Sequence, residues 1–153
     1  MDIAKAIGDL YDYVTSGQGN KHRLLDIAVV NEELAAQIKN VTGCEVGGFA
    51  ISVDNYGIKH TIRRHGSFDA EAKRGQVAVT KADFELVLKI IFEPNTIRYD
   101  HRQYGNSITK RTLIFEKQMG NRYMVALEIR RVTKKHKTNR LVFQTMYIKK
   151  AAF

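Results

Sequence analysis

The segment "IKHTIRRHG", residues 58 to 66, places two histidines beside two adjacent arginines. Histidine titrates near neutral pH, with an unperturbed pKa of about 6.5, so it can serve as general base or general acid. Arginine, lysine and hydroxyl groups steady charge on a transferring phosphate. These residue types together suit RNA cleavage without a metal ion. A base takes the 2′-hydroxyl proton, the oxygen attacks the adjacent phosphorus, and an acid protonates the departing 5′-oxygen. HExxH, HxE with PCxxC and a local cluster of aspartates are all missing from the sequence, so the expectation is no metal and no cofactor. The phosphate-loop, GxSxG and dinucleotide-binding glycine patterns are missing too.

Spacing limits what the pair can do. On a regular helix, about 100° per residue puts His60 and His65 about 140° apart. They cannot both address one small site from an unbroken helix. Either the helix ends near Arg63 and His65 swings free, or only one histidine is catalytic. Ile58, Ile62 and His65 share a stripe, so His65 also fits a packed residue at a helix end. His60 with Arg63 and Arg64 fits either a solvated basic face or a phosphate-binding one. His22, His101 and His136 have no partner at a suggestive spacing.

The charge pattern points to a polyanion. Net charge is +9, and residues 1 to 109 carry 13 Lys/Arg against 14 Asp/Glu. Residues 110 to 153 carry 12 against 2, so the surplus belongs to the last third of the chain. A one-sided basic surface attracts nucleic acid through phosphate contacts and counterion release. An acidic partner protein is the rival, and no membrane is expected. The longest apolar run is far short of the roughly 20 residues that span a bilayer. The N-terminus lacks a secretory pattern, and Cys44 is the one cysteine. A cytoplasmic setting fits both.

The elements that must position these residues can be read from periodicity. A helix is expected over 2–16, a strand or loop over 22–30, and a helix capped by Asn31 and stopped at Gly43. "EVGGFAISV" reads as extended. Asp54 caps a helix through His65, closed by Gly66. "SFDAEAKRGQVA" reads as a polar connection. Thr80 and Asp83 resemble a capping box opening a helix through Phe92, with Pro94 as its stop. Four strands follow, "TIRYDHRQY", "TKRTLIFEKQ", "RYMVALEIRRV" and "NRLVFQTMYIKK", rich in β-branched and aromatic residues. In the last, strict alternation puts Leu141, Phe143, Thr145 and Tyr147 on one face. The fold class expected is α+β, with N-terminal helices packed on a four-stranded antiparallel sheet. One domain is expected over 1–153: helix and loop to 22, a mostly helical part over 23–94, and a meander over 95–150.

In this order the elements resemble a known family. "YGIKHTIRRHG", then "VTKADFELVLKIIFEPNTI", then strands ending in "RLVFQTMYIKK" look like the phage-associated nucleases of the barnase–EndoU–colicin–RelE-like fold. These occur in phage polyvalent proteins and toxins. The resemblance covers residues 23 to 150. It implies a metal-independent endoribonuclease, a toxin or phage effector of the bacterial cytosol. Its substrate would be RNA, with tRNA a candidate, and its partner an acidic immunity protein. It carries catalytic roles onto His60, His65, Thr145 and Tyr147. Phosphate-binding candidates are Arg63, Arg64, Lys110, Arg111, Lys117 and, in the last hairpin loop, Lys134, Lys135 and Lys137. Thr145 also fits a simple β-former in a half-buried strand. The alternative function is a non-catalytic nucleic-acid-binding module using the basic sheet.

Overall fold

The computed structural model describes residues 2–17, 20–104, 108–135 and 137–151. Helix α1 (Ile3–Thr15) is capped by the Asp2 carboxylate, which accepts from the Lys5 N–H. Strand β1 (Leu24–Val29) follows, then α2 (Glu32–Thr42), with Asn31 as its N-cap and a left-handed Gly43 at its end. Next come β2 (Ala50–Asp54) and α3 (Asn55–His65). The stretch expected to be a polar connection holds α4 (Phe68–Lys73), capped by Ser67, and the short β3 (Gln76–Val77). The Thr80–Asp83 capping box is formed. The helix it opens breaks after one turn into α5 (Lys81–Phe84) and α6 (Val87–Phe92). Strands β4 (Thr96–Tyr104), β5 (Ile108–Met119), β6 (Asn121–Arg130) and β7 (Arg140–Lys149) form the meander.

The sheet has seven strands, not the four expected. Its order is β1-β2-β7-β6-β5-β4, with β3 also paired to β7. The meander alone would leave the β7 edge open, and an unpaired edge is a liability. The N-terminal half closes it. Strand β2 runs parallel to β7 over Ala50–Ser52 and Arg140–Val142, while β3 pairs antiparallel with Ile148 and Lys149. Between these two short pairings the edge of β7 is covered by α3.

That seating explains two residues of α3. The Thr61 hydroxyl accepts a hydrogen bond from the Met146 N–H at 3.3 Å and donates to the Gly57 carbonyl at 2.9 Å. A buried edge amide is thereby satisfied by a side chain where no strand is present. At Gly57 a Cβ would meet the Phe143 carbonyl oxygen at 2.5 Å and its ring at 2.9 Å. Only glycine lets the helix approach so closely.

The core lies on one face of the sheet. Ile7, Leu34, Ile38, Phe84, Ile90 and Ile91 from the helices meet Leu113, Phe115, Val125, Leu127, Leu141, Phe143, Met146 and Ile148 from the strands. Strand β7 does not alternate strictly, which corrects the expected facing. Ala126 pairs with Thr145 but Leu127 pairs with Phe143, so Gln144 is an extra residue, a β-bulge. Leu141 and Phe143 before the bulge, and Met146 and Ile148 after it, all reach the core. Thr145 and Tyr147 therefore turn to the opposite face. Among the described residues, no helix is long and apolar enough to cross a membrane.

Candidate active site

The face opposite the core carries a cleft of about 950 Å³ between α3 and the sheet. Helix α3 supplies Tyr56, Gly57, His60, Arg64 and His65; the sheet supplies Lys110, Thr112, Ile114, Ala126, Arg130, Gln144, Thr145 and Tyr147. The four candidate catalytic residues, His60, His65, Thr145 and Tyr147, thus line one cavity. The helix is unbroken through His65, and the Gly66 N–H bonds the Ile62 carbonyl at 2.9 Å. No break was needed to bring the histidines together. The stripe between them is Gly57, Thr61 and Arg64; Gly57 and Thr61 press on β7, and Arg64 is exposed at the cleft. His60 and His65 flank that stripe, and a cleft running along the helix reaches both. What they share is a cleft of about 950 Å³, far wider than the small site considered from spacing.

The two imidazoles sit in different surroundings. His65 is largely buried, with 13% of its side chain exposed, and its Nδ1 lies 3.2 Å from Oε2 of Glu71. Glu71 is fully buried and its other oxygen accepts from Arg74 at 2.5 Å. Arg74 also donates to the Arg64 carbonyl at 2.8 Å. A buried carboxylate needs such partners to be tolerated. In return it holds the ring and leaves Nε2 for other contacts. The Tyr147 ring packs against His65 with centroids 5.5 Å apart and planes at 32°.

His60 is exposed and has no carboxylate partner among the described residues. Its pKa is held below the ordinary 6.5, first by partial loss of water around the ring, then by the positive charges of Arg64, His65, Lys110 and Arg63. At an exposed ring, solvent and salt screen such charges, so the direction carries the meaning. The shift favours the neutral ring, whose unprotonated nitrogen carries a lone pair.

Cations surround the pair. Arg64 makes no ion pair among the described residues. Lys110 and Arg130 share Glu128, at 3.5 Å and 2.7 Å, on the same face of the sheet. The Thr145 hydroxyl is buried and, among the described residues, has no hydrogen-bond partner. Such an atom costs free energy unless something supplies one, and it lies on the cleft wall. Asp54 caps α3 by accepting from the Gly57 N–H at 2.8 Å, and its second oxygen lies 3.1 Å from Nε2 of His22.

The remaining candidates fall elsewhere. Arg63 is exposed outside the lining. Arg111 and Lys117 share the parity of Leu113 and Phe115, so they turn from the cleft; Lys117 donates to the Glu93 carbonyl at 2.7 Å. Lys134, Lys135 and Lys137 are exposed in the β6–β7 connection, and His136 lies outside the described residues. Glu71, Arg74, Arg130 and the His22–Asp54 pair were not anticipated. Glu71 follows His65 by six residues across a helix junction, a spacing with no helical meaning. Its one signal was Ser67 before Asp69 and Glu71, the mark of a capped helix start.

The molecule is thus a mixed α+β fold with two histidines and several cations in one cleft. The chain belongs to the family described as phage-Barnase-EndoU-ColicinE5/D-RelE like nuclease3, whose model matches residues 28–152. The seven-stranded architecture is consistent with that nuclease fold. No curated protein and no solved structure matches the chain.

Proposed function

We propose that this protein is an endoribonuclease that cleaves RNA by attack of the 2′-hydroxyl on the adjacent phosphorus, with no metal ion. The observation that carries the reading is the pairing, in one cleft, of an exposed His60 with a Glu71-held His65. Family membership makes nucleic acid the substrate; the RNA assignment comes from this chemistry. His60 takes the 2′-hydroxyl proton. The O2′–P bond forms as the P–O5′ bond breaks, and Nε2 of His65 protonates the departing 5′-oxygen. The products are a 2′,3′-cyclic phosphate and a 5′-hydroxyl. Arg64, Lys110 and Arg130 offset the charge that builds on the phosphoryl oxygens. The Thr145 hydroxyl donates to one of those oxygens, which supplies the partner it lacks. Tyr147 backs the His65 ring.

The same reading makes the protein a phage effector or toxin of the bacterial cytosol, restrained by an acidic partner over the cationic cleft, with tRNA among its candidate targets. The test is incubation with total RNA at neutral pH in EDTA. Cleavage to cyclic-phosphate ends is expected. RNA left intact after long incubation, or cleavage only on adding a divalent ion, removes the proposal.

A further inference from the structure

His22 lies outside the residues that the family model matches, 28–152, yet it lines the same cleft as His60 and His65. Three consecutive residues at the start of α3 hold it there. The buried Asn55 side chain bonds both neighbours of His22, donating to the Lys21 carbonyl at 3.1 Å and accepting from the Arg23 N–H at 2.8 Å. Asp54 takes Nε2 of the ring at 3.1 Å. The Tyr56 ring lies parallel to it, with centroids 5.0 Å apart and planes at 1°. Arg23, stacked 3.7 Å above the Tyr13 ring, ties the same segment to α1.

A simple anchor for the N-terminal segment would bury these rings. Instead 47% of the His22 side chain and 51% of Tyr56 remain exposed. A pair of parallel rings, half exposed at the cleft that holds His60 and His65, has the form of a stacking platform. Tyr56 precedes His60 by one helical turn, about 6 Å between Cβ atoms, so the platform adjoins the base that acts on the ribose. We infer that the His22–Tyr56 pair is a nucleobase-stacking subsite, taking the unstacked base of a single-stranded nucleotide next to the scissile phosphate. This rests on the nuclease reading and narrows it to single-stranded substrate. A π-face is common to all bases, so the subsite selects strandedness, not sequence.

The probe is a single-stranded RNA oligonucleotide carrying 2′-fluoro groups, which block 2′-hydroxyl attack, and 2-aminopurine, whose fluorescence falls on stacking. Wild type and Tyr56→Phe should quench it, and Tyr56→Ala should bind about tenfold more weakly with the quench lost. His22→Ala should give a smaller loss. Annealing a complementary strand should remove the protein-dependent quench, read against the duplex alone. Melting curves verify that each variant folds. On unmodified RNA, Tyr56→Ala should raise KM while leaving kcat nearly unchanged. No quench with wild type, an equal quench with Tyr56→Ala, or an unchanged quench with duplex overturns the subsite. Failure to cleave unmodified RNA in EDTA, with the quench intact, overturns the nuclease reading and leaves the subsite standing.

Discussion

His60 and His65 stand on one helix, five residues apart, and meet the same cleft in opposite conditions. His65 is largely buried and pinned at Nδ1 by a carboxylate that is itself fully buried. His60 is exposed, lacks any acidic partner among the described residues, and has cations on several sides. A ring held by a carboxylate has one nitrogen committed and the other left for different contacts. A ring partly withdrawn from water and set among positive charges has its pKa lowered, which favours the unprotonated form. One helix thus presents two imidazoles in unlike surroundings: Glu71 of α4 sets those of His65, while burial, the helix's own Arg63, Arg64 and His65, and Lys110 of β5 set those of His60.

The comparison can be broken most directly by deletion. His60→Ala and His65→Ala should each lower kcat/KM on RNA by about 10²- to 10⁴-fold with the fold retained. A variant at full rate removes that residue from the mechanism. Glu71→Gln acts on one histidine alone. Losing the carboxylate that orients His65 should cost about 10- to 100-fold, as outer partners of metal-bound histidines do. If kcat is untouched, Glu71 is only a structural partner of Arg74.

Gly57→Ala tests the seating that both histidines share. Alanine gains about 1 kcal/mol of helix propensity over glycine. Overpacking against the Phe143 carbonyl costs about 1–3 kcal/mol, because the obstacle is backbone and cannot swing aside. The net effect should be a lower midpoint in chemical denaturation. A stabilised variant would show that α3 can shift away from β7.

The pH dependence sharpens the contrast. As a base, His60 must be unprotonated, so kcat/KM should fall as pH drops through its folded pKa, below 6.5. Stability follows the same sign: with the folded value below the unfolded one, it is complete above pH 6.5 and declines as pH falls through the folded value. Arg64→Ala removes a positive neighbour, so the acid limb should move up toward 6.5, and added salt should do the same by screening. An acid limb unmoved by either change would take Arg64 out of the tuning of His60. The smallest effect is expected at the β6–β7 loop. Charge reversal at Lys134, Lys135 or Lys137 should leave kcat unchanged. It should lower the slope of binding against salt by about one unit for each phosphate no longer neutralised. No change in slope would place the loop outside the RNA path.

The legible parts of the molecule were those with local causes. Asp54, Asn31 and the Thr80–Asp83 pair each announce a helix start, because a side-chain oxygen reaches an amide within three residues. The four meander strands were visible as runs of β-branched and aromatic residues. Strands β1, β2 and β3 were harder to read, since each is short and matters only through its pairing with β2 or β7. Strict alternation misplaces Thr145 for a similar reason. A bulge is a relation between two strands, and nothing at Gln144 alone declares it. The His22–Asp54 and His65–Glu71 pairs have no periodicity to reveal them.

The sequence by itself determined which residues could do the chemistry: two histidines and two arginines on one capped helix, and a basic surplus in the last third of the chain. Composition and short-range spacing suffice for that, because helix formation and net charge depend on neighbours along the chain. Only the tertiary structure decided that both histidines reach one cleft, that the bulge turns Thr145 and Tyr147 toward it, and that Glu71 stands behind His65. Those outcomes depend on a glycine pressed against a carbonyl of β7 and on one extra residue in a distant strand pair, arrangements that exist only once the chain has folded.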